Sequence, residues 1–245
     1  MKKKFFSLLA MSFCLASSTL AEDVTISSAS ELKNFATRVN NGETSLNATL
    51  TADIDLSDLS DETWTPIGTS SVPFKGTFDG QNHAITNFNY TATGTHNGLF
   101  GNINGATVQK FSISGTLTSS YTKNGVIGEA SNWAKVKGIH SSLTMDLNNT
   151  KGYSGGIVGG VNWDQVVTIE NCEYDGTMTH TGTGDCQGGI IGYTWHAIIK
   201  NCLFSGKITG DDNTNYGGIV GANCKGSYFT VQNCLCSAVL SVRSG

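Results

Sequence analysis

The most regular feature of the chain is a set of apolar positions that return about every 30 residues. Around each return, apolar and polar residues alternate, which is typical of short β-strands with one buried face. Residues between the apolar positions are mostly polar. Three apolar columns result: Val108, Val136, Ile169, Ile199 and Val231; Phe111, Ile139, Cys172, Cys202 and Cys234; and Leu117, Met145, Met178, Ile208 and Leu240.

A glycine-rich segment precedes each set of columns. The five segments are Asn97-Gly98-Leu99-Phe100-Gly101, Asn124-Gly125-Val126-Ile127-Gly128, Gly155-Gly156-Ile157-Val158-Gly159, Gly188-Gly189-Ile190-Ile191-Gly192 and Gly217-Gly218-Ile219-Val220-Gly221. Their starts are 27, 31, 33 and 29 residues apart. Repetition at this period indicates a solenoid, a propeller or an array, and a propeller blade needs roughly 40 residues or more. We therefore predict an all-β fold, a parallel β-helix (β-solenoid) whose coils stack about 4.8 Å apart.

Two polar columns support the same register. One holds Gln109, Lys137, Glu170, Lys200 and Gln232, and the other holds Asn171, Asn201 and Asn233. Stacking would place Glu170 between two lysines. Stacked asparagines at a bend can hydrogen-bond along the solenoid axis, because each amide has a donor and an acceptor.

The N-terminal end of the predicted solenoid has a cap. Residues 28–31 have the spacing of a helix capping box, and Asn40-Asn41-Gly42 is a typical helix stop. One apolar helical face lies between them, formed by Leu32, Phe35, Ala36 and Val39. We predict a helix over residues 28–40 lying across the first coil, followed by a first strand with Leu50, Ala52, Ile54 and Leu56 alternating.

The first residues predict a secretory signal peptide. Three lysines at positions 2–4 precede an apolar run from Phe5 to Ala16, and Thr19 and Ala21 suit a cleavage site. No later apolar stretch is long enough to span a membrane. We assign residues 1–21 to the signal peptide, residues 22–96 to the cap helix and first coils, and residues 97–245 to five repeats.

Composition and charge narrow the function. Removing Lys2, Lys3 and Lys4 with the signal peptide changes the formal net charge from −4 to −7. No basic patch or run is present, so we expect no nucleic-acid partner. The expected location is secreted, either extracellular or on the cell surface.

The glycine-rich segments resemble the GLUG motif of bacterial surface proteins, which also occurs in non-catalytic regions of immunoglobulin A metallopeptidases. Residues 26–32, 50–56 and 74–83 resemble the leader that precedes GLUG repeats. The resemblance covers nearly all of the mature chain. It implies a secreted or cell-surface β-solenoid without catalytic residues.

Catalysis is the first alternative, because some β-helices are polysaccharide lyases or hydrolases. The mature chain has two arginines, Arg38 and Arg243, and neither lies near an acidic cluster on a coil. Glu170, Glu173 and Asp175 are the one close acidic trio in the repeats, and we interpret them as a solvated face along one outward strand. We therefore predict no catalytic residue and no enzyme activity.

We also predict no cofactor and no metal site. The acidic run Asp53, Asp55, Asp58, Asp61 and Glu62 matches no EF-hand spacing, although calcium remains its alternative reading. The histidines at positions 83, 96, 140, 180 and 196 show no metal-ligand spacing. Three of the six mature cysteines occupy the second apolar column, where stacking favours buried free thiols over disulfides.

Aromatic residues give the main functional signal. Trp133, Trp163 and Trp195 follow successive glycine-rich strands by three to five residues, and Tyr228 continues the series. An aligned stripe of this kind can stack on sugar rings or insert into a protein surface. The alternative is that each ring covers its own turn.

The resulting functional hypothesis is a non-catalytic protein that adheres to or interacts with a surface through its solenoid faces. The partner would be a glycan or a host or cell-surface protein. The alternatives are a carbohydrate-active β-helix enzyme and a structural envelope spacer. The last coil has no visible cover, so end-to-end self-association, fraying or a longer natural chain are further expectations.

Overall fold

A computed structural model describes residues 23–59, 63–148, 151–162, 166–211 and 214–243. They form an all-β solenoid of about six turns with one helix near its N-terminus, as predicted. In chain order the elements are β1 (Asp23–Ile26), α1 (Ala29–Asn40), β2 (Asn47–Leu50), β3 (Ile54–Asp55), β4 (Thr77–Thr91), β5 (Phe100–Asn104), β6 (Thr107–Ser119), β7 (Ile127–Ser131), β8 (Lys135–Leu147), β9 (Tyr153–Gly155), β10 (Val158–Val161), β11 (Val167–Glu170), β12 (Glu173–Tyr174), β13 (Thr177–His180), β14 (Cys186–Gly188), β15 (Ile191–Lys200), β16 (Leu203–Phe204), β17 (Lys207–Asp211), β18 (Asn215–Gly217), β19 (Val220–Gln232), β20 (Leu235–Cys236) and β21 (Val239–Arg243). A 3₁₀ turn covers Leu56–Leu59.

The strands pair in parallel between successive coils, and the pairing confirms the predicted register. In the first column Val108 pairs with Val136, and Ile169 pairs with both Val136 and Ile199. Ile199 in turn pairs with Val231. The third column is paired without a gap from Leu117 to Leu240. The core is therefore a stack of equivalent side chains, one per coil.

The asparagine column lies at a sharp bend. Asn171, Asn201 and Asn233 have φ values of 55°, 52° and 52°. This left-handed region is costly for most residues but is tolerated by asparagine and glycine. The Asn201 Nδ2 amide donates to Asn171 Oδ1 at 3.1 Å, so the predicted hydrogen bonding along the axis is present for this pair.

Glycines in the repeated segments allow close approach between the chain and core rings. A Cβ atom added to Gly156 would lie 2.1 Å from the Tyr174 ring, and one added to Gly189 would lie 2.1 Å from the Gly218 carbonyl oxygen. β9, β14 and β18, which run into these segments, form a separate three-stranded sheet. The second glycine of the segments in these coils is thus required by packing.

A buried polar ladder runs through the start of the first three repeats. Asn97 Nδ2 donates to Asn124 Oδ1 at 3.0 Å, and Asn124 Nδ2 donates to Ser154 Oγ at 3.1 Å. All three residues are fully buried. The ladder satisfies polar groups that would otherwise be costly in the core, and it links three coils.

The cap helix forms as predicted. Ser28 is the N-cap of α1 and accepts from the Glu31 amide. Phe35 packs against Phe74 and Phe78, with ring centroids 5.7 and 6.1 Å apart, so the helix covers the apolar end of the first coils.

The predicted first strand is wrong in detail. The solenoid begins earlier, with β1, which pairs with β2. The stretch from Leu50 to Leu56 is broken: β2 ends at Leu50, and the chain turns before β3 and the 3₁₀ turn. The coil must bend there to continue around the core, and sequence alternation alone does not reveal such a bend.

Within the described chain, the last coil is paired on one side only. Val231 and Leu240 continue their columns but are each 44% exposed, whereas their four column partners are buried. The first column is therefore buried at every member except the final one, which no coil in the described chain covers. Leu235 and Val239 are exposed on the same coil.

No helix among the described residues is long and apolar enough to cross a membrane. The predicted signal peptide, residues 1–21, lies outside the described residues. All six cysteines in the described chain are free thiols, and Cys172 and Cys202 are buried in the second column.

Candidate functional site

A gap in one side-chain column creates a groove on the solenoid face. Asn102 pairs with Glu129, Glu129 with Gly160, and Gly160 with Tyr193 across successive coils. Stacked coils present one side chain per coil in such a column. Gly160 has none, so the column is interrupted between Glu129 and Tyr193.

The groove has a volume of about 280 Å³. This is close to the lower end of the size range for small-molecule sites, about 300–1,000 Å³. Its lining residues are Lys123, Glu129, Tyr153, Gly160, Val161, Asn162, Tyr193 and Trp195. A Cβ atom added to Gly160 would lie 3.7 Å from Tyr153 Cδ2 and 3.9 Å from Lys123 Cγ, which are ordinary van der Waals contacts, so a methyl group fits there without displacing a neighbour.

Aromatic side chains form one wall of the groove. The rings of Tyr153 and Tyr193 stack with centroids 4.4 Å apart and planes 17° apart, and Trp195 is half-buried beside them. Burial raises the pKa of both tyrosines above the ordinary phenol value. Both hydroxyls therefore stay protonated near neutral pH and can donate as well as accept hydrogen bonds.

A buried ionic cluster closes the other end. Glu129 is buried and forms an ion pair with Lys123. Its Oε1 atom accepts from Asn102 Nδ2 at 3.1 Å and lies 3.7 Å from His96 Nε2. Burial acts to raise the pKa of Glu129, but the interactions with His96 and Lys123 outweigh it, and the pKa is lowered. The carboxylate is thus charged, and its position is fixed.

His96 connects this cluster to a second groove of about 190 Å³. Lys123 Nζ lies 3.3 Å from His96 Nε2, and His96 also lines the second groove, with Tyr90 and several threonines. The two grooves and the ionic cluster between them therefore follow one another along the solenoid.

The members of the predicted aromatic stripe do not share one environment. Trp195 lines the main groove, whereas Trp133 is 62% exposed and does not line it. Tyr228 is 78% exposed and stacks on His196, which is its register partner, with centroids 5.7 Å apart. Trp163 lies outside the described residues.

The structure corrects our interpretation of the acidic trio as one strand face. Glu170 is the last residue of β11, and its Oε2 atom lies 3.6 Å from Lys137 Nζ. The bend at Asn171 then redirects the chain, so Glu173 in β12 and the following Asp175 lie on another face. Asp175 is brought to His140, with Oδ2 and Nε2 2.9 Å apart.

Two members of the acidic run near β3 form local hydrogen bonds. Asp53 Oδ1 accepts from the Ala84 amide and lies 3.0 Å from His83 Nδ1. Asp55 Oδ1 accepts from Asn87 Nδ2 and from Ser57. Asp61 and Glu62 lie outside the described residues.

Comparison with known proteins supports the fold assignment. One solved structure of similar fold is described as a putative immunoglobulin A1 protease from Bacteroides ovatus. Its TM-score is 0.69 at 19% sequence identity, over 89% of this chain and 67% of that chain. Similarity at this identity shows the fold alone. No protein-family model and no curated protein matches the chain.

Proposed function

We propose that the protein is a non-catalytic, secreted or cell-surface binding protein whose solenoid face holds a glycan. The observation that carries the proposal is the groove above Gly160, with tyrosine and tryptophan rings on one wall and a fixed ion pair at its end. Sugars present apolar ring faces together with many hydroxyls, and aromatic rings beside polar groups match both properties.

The second groove favours a linear glycan over a single sugar. Grooves of about 280 and 190 Å³ follow one another along the solenoid, separated by the cluster of Lys123, Glu129 and His96. A chain of sugars lying along the face would fill both grooves and place hydroxyls near the charged groups between them.

The chemistry of the groove supports binding over cleavage. Glycoside hydrolysis generally requires two carboxylates that flank the bond. Glu129 is the one carboxylate among the residues that line the main groove, and it is already engaged by Lys123 and Asn102. A polysaccharide hydrolase or lyase is therefore the less favoured function for this site.

The secreted or surface location follows from the N-terminal signal-like sequence, and the resemblance to GLUG-repeat surface proteins is consistent with it.

A binding screen of residues 22–245 against glycans and host proteins would test the function. We expect binding to a linear glycan without release of shortened products. Protein ligands alone, or turnover of a polysaccharide, would overturn the proposal.

Single substitutions then separate the groove from the aromatic stripe. Trp195→Ala should weaken glycan binding, and Trp133→Ala is the matched control because Trp133 is an exposed tryptophan outside the groove. If Trp133→Ala and Tyr228→Ala weaken glycan binding as much as Trp195→Ala does, binding would be assigned to the stripe instead of the groove.

A further inference from the structure

A second cluster of chemically reactive side chains lies on a different part of the solenoid. The cluster consists of His140, Glu173 and Asp175. Each residue offers one ligand atom, a ring nitrogen or a carboxylate oxygen, and these atoms lie within 4.8 Å of one another. None of these residues lines either groove.

Strand register explains how the three residues meet. Glu173 in β12 is the direct partner of His140 in β8, so their side chains stand next to each other. Side chains alternate along a strand, and the next residue, Tyr174, is buried, so Asp175 returns to the face of Glu173. The Asp175 amide donates to the Ser141 carbonyl at 3.1 Å, which fixes the backbone at this point.

One carboxylate is oriented by a fourth residue. Ser142 Oγ donates to Asp175 Oδ1 at 2.6 Å, which leaves Oδ2 directed at His140 Nε2. Partial burial opposes ionisation of Asp175, but hydrogen bonds from Ser142 and His140 outweigh it and lower the pKa of its carboxyl group. Outer-shell hydrogen bonds of this kind hold metal-ligating carboxylates in place.

The negative charge of the cluster is not neutralised by a lysine or arginine in the described chain. Among the described residues, no ion pair or side-chain hydrogen bond engages Glu173, whereas the nearby Glu170 is paired with Lys137. In the coils on either side, the register partners are Ser112 for His140 and Leu203 for Glu173, and neither carries charge. Two carboxylates and an imidazole thus share a small, partly exposed area.

We propose that His140, Glu173 and Asp175 bind a divalent transition-metal ion, with Zn²⁺ the best match. Zinc accepts histidine nitrogen together with aspartate and glutamate oxygen, commonly with four ligands, so water or a partner's donor would complete the coordination. Calcium and magnesium prefer all-oxygen ligand sets and are not expected here.

Metal binding would be measured on the full mature chain under reducing conditions, by calorimetric titration with Zn²⁺ and by the absorption spectrum of Co²⁺. We expect one Zn²⁺ per chain at this site, no comparable binding of Ca²⁺ or Mg²⁺, and a Co²⁺ spectrum without a thiolate charge-transfer band. Such a band would assign the metal to the free cysteines and overturn the proposal.

Glu173→Gln should weaken Zn²⁺ binding by about tenfold or more, and Ser142→Ala by less, since Ser142 acts through Asp175. Glu170→Gln is the matched control, because it removes a neighbouring carboxylate outside the cluster. Melting temperatures of all variants report whether they fold. Equal Zn²⁺ affinity in folded Glu173→Gln and Glu170→Gln proteins would overturn the proposal.

Discussion

Gly160 and Gly189 are each the second glycine of a Gly-Gly pair, yet their surroundings are opposite. A Cβ atom at Gly160 would make ordinary van der Waals contacts, whereas one at Gly189 would clash with the Gly218 carbonyl and the Phe204 ring. One glycine leaves room for a ligand, and the other leaves room for the core. The sequence shows both as parts of a repeat but does not distinguish them, because the difference depends on side chains from neighbouring coils.

Substitution by alanine should affect stability differently at the two glycines. Gly189→Ala should lower stability by about 1–3 kcal/mol or more, since overpacking forces backbone or ring displacement. Gly160→Ala should change stability little. Urea denaturation of both variants would check this, and equal midpoints would contradict the packing assigned to the repeated glycines.

Glu129 predicts a pH dependence. Its pKa is lower in the folded chain than the ordinary value of 4.5, so the unfolded chain binds more protons in this range. The stabilisation is complete above the unfolded pKa and is lost as the pH falls through the folded pKa. Thermal melts from pH 7 to pH 3 should show a steeper loss of stability for wild type than for Glu129→Gln. Parallel curves would exclude this role for Glu129.

At the scale of elements, the sequence predicts the strands of the later coils well. An apolar residue recurs at each column position, and the observed pairing from β6 to β21 follows those columns. The cap helix is equally clear, because its capping box and apolar face are local signals. The break between β2 and β3 was missed because it depends on how the coil turns around the core.

Ile169 tests whether the columns hold the coils together. Ile169→Asp should cost more than about 4 kcal/mol, because it places an unpaired charge at a fully buried position. Thr168→Asp is the control, since Thr168 is the adjacent, partly exposed residue of the same strand. Circular dichroism should show loss of β-structure for Ile169→Asp only, and similar spectra for both variants would contradict the register.

At the scale of the whole molecule, the candidate sites were much less predictable than the fold. The groove combines Lys123, Tyr153 and Tyr193 from different coils, and the space itself arises where a side chain is missing. The cluster proposed to bind a metal joins His140 to Glu173, 33 positions away, and their adjacency is visible only once the register is known. Of the aromatic stripe, Trp195 is the member that the described structure places in the groove.

The final coil predicts self-association. Tyr228, Leu235 and Val239 are each more than half exposed, and β19, β20 and β21 have an unpaired edge in the described chain. Open strand edges with apolar side chains readily pair with another chain. We expect a second copy to cover this coil, giving concentration-dependent dimers in sedimentation velocity that Leu235→Lys weakens. A monomer at all concentrations would contradict the expectation.

Glycan binding through the groove is the central claim, and Gly160→Leu tests it most directly. A Cβ atom at Gly160 fits with contacts of 3.7 Å to Tyr153 and 3.9 Å to Lys123, so the leucine side chain would extend into the groove. Calorimetric titration of the glycan identified in the screen should give an affinity about tenfold or more weaker for Gly160→Leu than for wild type. An unchanged dissociation constant in a folded Gly160→Leu protein would contradict binding in this groove.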